Sequence, residues 1–272
     1  MQFNTFATLA IVAVSGALAC ADNTGPAAGR PISVSFSTAP ASGASFARTA
    51  APGASLDLTS TVGTDALVIT KVQLVVARIE LQQSGATCAS TTASGDDEGD
   101  QRHESECAEL QVAPSIVNLP VNGTVVSALD ISIPPGTYSA LEAKIRPLRN
   151  DSDHGQGSSA FLTAHPELNG VSVVVEGTFN GTPFTYKGAA RSELERRFDP
   201  PLVIDASPLN ITVNVDLASW FRSPSGGLID PSTANAGGAN AATVADNIKR
   251  SFRAFRDDDH NGQDDDDRGG HS

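Results

Sequence analysis

The chain has 272 residues and a formal net charge of −13, and 40% of its residues are hydrophobic. A charge this negative repels phosphate backbones, so nucleic acid is not an expected partner. The 24 glycines, 16 prolines and 5% aromatic content favour many short elements joined by turns over long helices.

Residues 1–19 have the pattern of a signal peptide. An uncharged apolar run extends from Phe6 to Ala19, which is too short to span a bilayer. A small-residue cleavage site ends at Ala19, and Cys20 follows it. We predict that Cys20 is the lipidated first residue of a bacterial lipoprotein; the alternative is cleavage without a lipid. The chain is therefore expected to be exported, either to the outer membrane or cell surface as a lipoprotein, or as a secreted protein.

Residues 20–55 are rich in alanine, glycine, serine, threonine and proline. This composition is typical of a flexible tether between an anchor and a folded domain. Ile32, Val34 and Phe36 alternate with serines, which indicates that a short first strand is embedded in the tether. Any contact with a membrane is expected only through the lipid at the N-terminus.

Cys88 and Cys107 flank an acidic stretch. In an exported protein this arrangement predicts a disulfide that closes a hairpin loop, with a stabilisation of about 3 kcal/mol. Two unrelated free thiols are the alternative. A metal site with His103 between the two cysteines matches no standard zinc spacing.

Several runs between residues 56 and 222 alternate with the period-two pattern of half-buried strands. Residues 66–82 alternate but change phase partway, which predicts a β-bulge. Asn180-Gly181 lies between two β-rich runs and predicts a type I′ hairpin. The run from Leu209 to Leu217 predicts a strand with Asn210, Thr212, Asn214 and Asp216 facing outward. Together these runs predict an all-β fold, an antiparallel β-sandwich.

Residues 223–256 are predicted to form a loop followed by one amphipathic helix docked on the sandwich. From Ala241, the residues Val244, Ile248, Phe252 and Phe255 recur at near-helical spacing. The predicted helix has about four turns and leads directly into an acidic tail, residues 257–272.

Three stretches carry a resemblance to a family of exported bacterial β-sandwich lipoproteins. They are IPPGTY at Ile133–Tyr138, VDLASWF at Val215–Phe221 and GLIDP at Gly227–Pro231. The resemblance extends over roughly residues 56 to 256 and implies a transthyretin-like or related sandwich, of the transthyretin or immunoglobulin type. It implies no particular activity, because none is assigned to the family.

The acidic tail contains seven aspartates among the eleven residues 257–267. Its register resembles EF-hand-like and thrombospondin type 3 calcium loops: Asp257, Asp259 and Asn261 occupy positions one, three and five. Gly262 falls where the loop turns, and the Gln263 carbonyl and Asp265 follow at seven and nine. Position twelve is Arg268, where an acidic ligand is expected. We predict a weak calcium site at Asp257, Asp259, Asn261, Gln263 and Asp265, with a dissociation constant of roughly 10⁻⁴ to 10⁻³ M. The alternative is a solvated, disordered acidic tail.

No phosphate-binding loop, dinucleotide fingerprint or His-Glu-x-x-His motif occurs in the sequence. We therefore predict a non-enzymatic exported surface protein with a structural, adhesive or ligand-binding role, whose partner is the cell envelope or an extracellular ligand. The alternatives are a carbohydrate-active or hydrolytic accessory module of the envelope and a soluble metal buffer. An enzyme would show a concave pocket with polar groups whose pKa values are perturbed.

Overall fold

The computed structural model describes residues 30–38, 57–84, 109–134, 136–149, 158–204 and 209–265. Within these ranges the chain forms twelve strands, which in chain order are β1 (Arg30–Ser37), β2 (Leu58–Val62), β3 (Asp65–Gln83), β4 (Glu109–Val112), β5 (Ser115–Leu119), β6 (Val125–Ile133), β7 (Gly136–Ile145), β8 (Val173–Phe179), β9 (Thr182–Gly188), β10 (Ser192–Ile204), β11 (Leu209–Val215) and β12 (Phe252–Arg256). The α-helices in these ranges are α1 (Ser158–Ala164) and α2 (Ala241–Arg250). Short 3-10 helices occur at Pro166–Leu168, Leu217–Ser219 and Pro231–Ala234.

Three of the predictions fall on residues outside these ranges. They are the signal peptide at 1–19, the lipidation site at Cys20 and the disulfide between Cys88 and Cys107. Among the helices that the structure describes, none is both long and apolar enough to cross a membrane.

The strands form two sheets that pack against each other, which confirms the predicted all-β sandwich. The first sheet has four strands in the order β12-β11-β1-β6. The second has eight: β10-β7-β3-β8-β9 form its main path, and β2, β4 and β5 also pair with β3. The described pairings are antiparallel except that β1 runs parallel to β11. Side chains alternate with the same period in both arrangements, so the sequence pattern does not reveal the direction of the neighbouring strand.

The core lies between the two sheets. The four-stranded sheet contributes Ile32, Val34 and Phe36 from β1 and Ile211, Val213 and Val215 from β11, all almost fully buried. The second sheet contributes Leu74, Ile79 and Leu81 from β3 and further apolar residues of β7, β8 and β9. These are the inward positions expected from the alternation, because a strand with one buried face places every second side chain in the core.

The predicted change of phase in residues 66–82 corresponds to two irregularities in β3. The pairing with β8 shifts between Ile69 and Lys71, and the pairing with β7 shifts between Val76 and Arg78. Each extra residue turns the following side chains to the opposite face. As a result Val75 and Ala77 point away from the main core and pack with α1 in a smaller cluster that includes Leu162.

The predicted β8–β9 hairpin is also present. Asn180 and Gly181 both have positive φ, at 50° and 78°, and Phe179 pairs with Thr182. Both central residues of a type I′ turn require this left-handed conformation.

The C-terminal helix is shorter than predicted, because α2 ends at Arg250 and Phe252–Arg256 forms β12 instead. Val244 and Ile248 are buried as expected, whereas Phe252 and Phe255 are only partly buried, on a strand. The backbone of β12 pairs with β11, which satisfies its hydrogen-bonding groups as well as a helix would. Near the end of a helix, a spacing of three or four between apolar residues does not show whether the helix continues or a strand begins.

The sandwich is larger than the predicted 56–222 domain. Strand β1 lies inside the predicted tether, where its alternation had indicated a strand, and β12 lies inside the predicted loop and helix region. Both are part of the four-stranded sheet. This extension matters for the acidic tail, because β12 leads directly into it.

Candidate metal centre

Strand β12 positions the start of the acidic loop over the four-stranded sheet. It pairs antiparallel to β11 from Val215–Phe252 to Ile211–Arg256, so the chain reaches Asp257 beside the beginning of β11. There the Asp257 amide donates to the Asn210 carbonyl at 3.0 Å. The loop returns to the same place, since the Asp265 amide donates to the Arg256 carbonyl at 2.9 Å. A strand enters this loop, so the predicted entering helix was wrong.

Asp257 is the buried centre of the loop, with no exposed side-chain surface. Its Oδ1 accepts a hydrogen bond from the Asn261 amide at 2.8 Å, and its Oδ2 accepts from the Gly262 amide at 2.9 Å. The Thr212 hydroxyl on β11 donates to the same Oδ2 at 2.7 Å. A carboxylate removed from water needs such donors, because burying an ionised group without partners costs on the order of several kcal/mol.

A sharp turn at residues 260–262 brings the loop back toward Asp257. His260 and Gly262 have positive φ, at 56° and 77°. A Cβ on Gly262 would lie 3.1 Å from Val125 Cγ2 on β6, which is a tight contact. The turn predicted at Gly262 is therefore present, and it needs glycine both for its conformation and for the space above β6.

The structure brings together three of the predicted ligands. Carboxylate oxygens of Asp257, Asp259 and Asp265 all lie within 4.8 Å of one another. Asp257 is buried, Asp259 is exposed and Asp265 is intermediate. Unit charges at this separation repel by about 1 kcal/mol per pair even in the dielectric of water, and by more near protein. An acidic cluster of this kind could hold a metal ion, which would relieve that repulsion.

The other two predicted ligands shape the turn in this structure. The Asn261 side chain accepts from the Gln263 amide at 2.8 Å and donates to Asp259. The side chain of Gln263 is exposed. Arg268, at position twelve of the predicted register, lies outside the described residues. Asp258, which is absent from the predicted ligand set, forms an ion pair with Arg256 at 2.6 Å.

A buried polar ladder underneath the loop was not expected. Ser35 on β1 donates to the Asn210 side chain at 2.7 Å, and Asn210 donates to the Thr212 hydroxyl at 3.0 Å and to the Asp257 carbonyl at 2.8 Å. Thr212 then donates to the Asp257 carboxylate. Asn210 and Thr212 were predicted to face outward. They do lie on the outer face of the sheet, but the loop covers them and leaves Asn210 1% exposed.

One signal in the sequence could have indicated this covering. The outward positions of β1 and β11 carry small uncharged polar residues, namely Ser33, Ser35 and Ser37 on β1 and Asn210, Thr212 and Asn214 on β11. An open sheet face more commonly carries charged side chains. Serine, threonine and asparagine pair with one another and with a backbone laid across them, so two such rows favour a covered polar face.

Titratable groups with a shifted pKa lie elsewhere in the part of the chain that the structure describes. On the outer face of the eight-stranded sheet, burial raises the pKa of Glu142, and a hydrogen bond with Glu193 raises it further against the opposing effect of Lys144. Burial disfavours charged Lys144, but its hydrogen bond with Glu142 and the charge of Glu80 leave its pKa raised. Lys144 Nζ lies 2.7 Å from Glu142 and 3.2 Å from Glu80. This arrangement is an ion-pair network on a sheet face.

A solved structure, MbnP from Methylosinus trichosporium, is similar to this chain with a TM-score of 0.39 and 13% sequence identity. The match covers 84% of this chain and 98% of that one. No family model matches the sequence, and no curated protein matches it.

Proposed function

We propose that this chain is a non-enzymatic exported bacterial surface protein, anchored as a lipoprotein through Cys20, in which calcium binds the C-terminal loop and holds it on the sandwich. The observation that carries the proposal is the convergence of the Asp257, Asp259 and Asp265 carboxylates within 4.8 Å. The role is structural, adhesive or ligand-binding, with the partner in the cell envelope or outside it.

The spacing of the cluster is compatible with calcium. Calcium binds oxygen at about 2.3 to 2.6 Å, so two oxygens on one ion lie up to about 5 Å apart. The carboxylate oxygens of Asp257, Asp259 and Asp265, which lie within 4.8 Å of one another, fall inside that limit. The choice of calcium rests on the resemblance of the loop register to known calcium loops. The oxygen-only donor set is also one that hard cations prefer.

The position of the loop supports a structural role for the ion. Asp257 contacts Asn210 and Thr212 of β11, and Gly262 approaches Val125 of β6. An ion shared by Asp257, Asp259 and Asp265 would join the two ends of a loop that crosses the four-stranded sheet. A weak site of this kind would be filled in a calcium-rich extracellular medium, in keeping with the proposed export.

Calorimetric calcium titration tests this proposal. We expect one site with a dissociation constant of roughly 10⁻⁴ to 10⁻³ M, and weaker binding of magnesium. At about 10 mM calcium the free energy of unfolding should rise by about 1.4 to 2.7 kcal/mol. Asp259→Asn and Asp265→Asn should weaken binding, because each replaces a charged ligand by a neutral one.

Asp246→Asn is the matched control, since Asp246 is an exposed carboxylate on α2 and its loss lowers the negative charge equally. Asp259 is exposed, so its substitution leaves the packing of the loop intact. Equal calcium binding by Asp259→Asn, Asp265→Asn and the control would show that calcium responds only to net charge, and the loop would then not be a calcium site.

The alternative, a carbohydrate-active or hydrolytic accessory module, has one observation in its favour. A polar cleft lies between β11, α2 and β12. Among its described lining residues Asp216 is the one carboxylate, whereas glycoside hydrolysis commonly uses two. This difference supports a binding module over a hydrolase.

A further inference from the structure

Basic residues are concentrated in one short segment of this acidic chain. Four of the 18 lysines and arginines lie within the eight residues 249–256, at Lys249, Arg250, Arg253 and Arg256. Arg256 forms an ion pair with Asp258. Arg250 and Arg253 are exposed and line the cleft named above. Arg250 and Arg253 bring positive charge to the cleft, whereas the net charge of the whole protein is negative.

The cleft has a volume of about 280 Å³ and lies between β11, α2, β12 and the 3-10 helix Leu217–Ser219. Internal hydrogen bonds hold its polar walls. Asn247 donates to the Trp220 carbonyl at 3.1 Å and to the Arg222 carbonyl at 2.7 Å. Ser251 accepts from the Trp220 indole at 2.7 Å. Both walls are thus attached to the buried Trp220, so the cleft is formed before any ligand arrives.

Two guanidinium groups in this cleft have donors to spare. Arg250 Nη2 donates to Asn247 Oδ1 at 3.1 Å, which orients that side chain and leaves its other N–H groups for a ligand. Among the described residues, none forms a hydrogen bond or ion pair with the Arg253 guanidinium. A guanidinium presents a planar fork that binds a carboxylate or phosphate through two parallel hydrogen bonds.

Asp216 gives the cleft an acceptor as well. Its Oδ1 accepts from the Ala218 amide at 3.2 Å, and for Oδ2 the described residues supply no hydrogen bond. A carboxylate at this position favours hydroxyl donors on a ligand and repels a second acidic group. The complementary ligand therefore carries one anionic group for the arginines and hydroxyls for Asp216.

We propose that this cleft binds a sugar that carries a single carboxylate or phosphate group. The anionic group pairs with Arg250 and Arg253, and a ring hydroxyl donates to Asp216. The cleft volume is compatible with one sugar ring. It lies just below the roughly 300 Å³ at which pockets for drug-sized ligands begin, and a single sugar is smaller than such ligands. The described residues that line the cleft all carry polar or charged side chains, which offer hydrogen-bond partners to a hydroxylated ring. This site involves none of the acidic loop residues, so it stands whether or not calcium binds.

Nuclear magnetic resonance titration of the isotope-labelled protein, at constant calcium, tests the proposal with four probes. They are galacturonate, galactose 1-phosphate, neutral galactose and acetate. We expect the two anionic sugars to shift the amide signals of residues 247–253 saturably, with a dissociation constant on the order of 1 mM for the tighter one. The tighter of the two identifies carboxylate or phosphate as the natural group. Galactose lacks the anionic group, and acetate lacks the hydroxylated ring. Each should therefore bind more weakly than the anionic sugars by at least about tenfold.

Arg250→Gln and Arg253→Gln should each weaken the anionic sugar by about tenfold or more, the loss expected for a charge-assisted hydrogen bond. Lys187→Gln is the matched control, because it removes one exposed positive charge on β9 and should leave the affinity unchanged. The arginine side chains are exposed, so the variants should melt at the same temperature as the parent. The proposal is overturned if acetate or galactose binds as tightly as the anionic sugars, or if both arginine variants bind like the control. It is equally overturned if no signal shifts at roughly 50 mM probe, far above the expected constant.

Discussion

The hydrogen bond from Thr212 to Asp257 joins the acidic loop to the sandwich, and Thr212→Val removes it with little change of shape. The hydroxyl donates to Asp257 Oδ2 at 2.7 Å and accepts from Asn210 Nδ2 at 3.0 Å. Thr212 and Asp257 are both fully buried, so water cannot replace the lost donor. Valine has nearly the volume of threonine, so the substitution changes polarity more than packing.

The expected loss follows from the partners that remain. A hydrogen bond to a charged group contributes about 1.5 to 3 kcal/mol. Asp257 keeps the amides of Asn261 and Gly262, and Asn210 Nδ2 keeps the Asp257 carbonyl. The penalty is therefore mainly that of one lost donor to a buried carboxylate. We expect Thr212→Val to lower the free energy of unfolding by about 2 kcal/mol.

Urea denaturation measures this difference, with an unchanged dependence on urea concentration because the surface exposed on unfolding stays the same. Thr185→Val on β9 is the matched control. Thr185 is exposed, so its substitution should stay within about 0.5 kcal/mol of the parent. A Thr212→Val protein as stable as the Thr185→Val protein would refute the idea that the buried polar ladder holds the loop.

Two further predictions concern the turn and a buried tyrosine. Gly262→Ala should destabilise the protein more than Gly237→Ala in thermal melting. Both glycines have similar positive φ, at 77° and 81°, and this conformation costs alanine about 1 to 2 kcal/mol at either position. Of the two, Gly262 is the one at which an added Cβ would press against Val125. Equal losses would contradict the packing of the turn on β6. Burial raises the pKa of Tyr186 to about 12 from 10.0, so stability present below pH 10 should be lost as the pH rises toward 12. Alkaline unfolding should show this loss, roughly 2.7 kcal/mol, in the parent and not in Tyr186→Phe; parallel pH profiles would argue against it.

The strands were predictable because a half-buried strand carries its own periodicity. Residues 66–82 show both the alternation and the change of phase that becomes the bulges of β3. Asn180-Gly181 predicts its turn because few other residue pairs tolerate two left-handed conformations. In these segments the local pattern and the tertiary structure agree.

The segment after α2 was not predictable in the same way. Phe252 and Phe255 continue the helical spacing of Val244 and Ile248, yet they lie on β12. The decisive factor is the edge of β11, which offers hydrogen bonds to a strand and lies far away in the sequence. Local spacing records which residues are apolar and carries no information about an edge provided by residues 209–215.

In the candidate metal centre, too, some features follow from the local sequence and others depend on contacts between distant segments. The sequence by itself determined which residues carry the oxygens, at Asp257, Asp259 and Asp265, and where glycine permits the turn, because carboxylates and conformational freedom are properties of single residues. Only the tertiary structure decided that β12 enters the loop, that the loop covers the outer face of β1 and β11, and that Asn210 and Thr212 are buried beneath it. The physical reason is that burial and hydrogen bonding to Asp257 join residues about 45 positions apart, and such contacts depend on packing between distant segments.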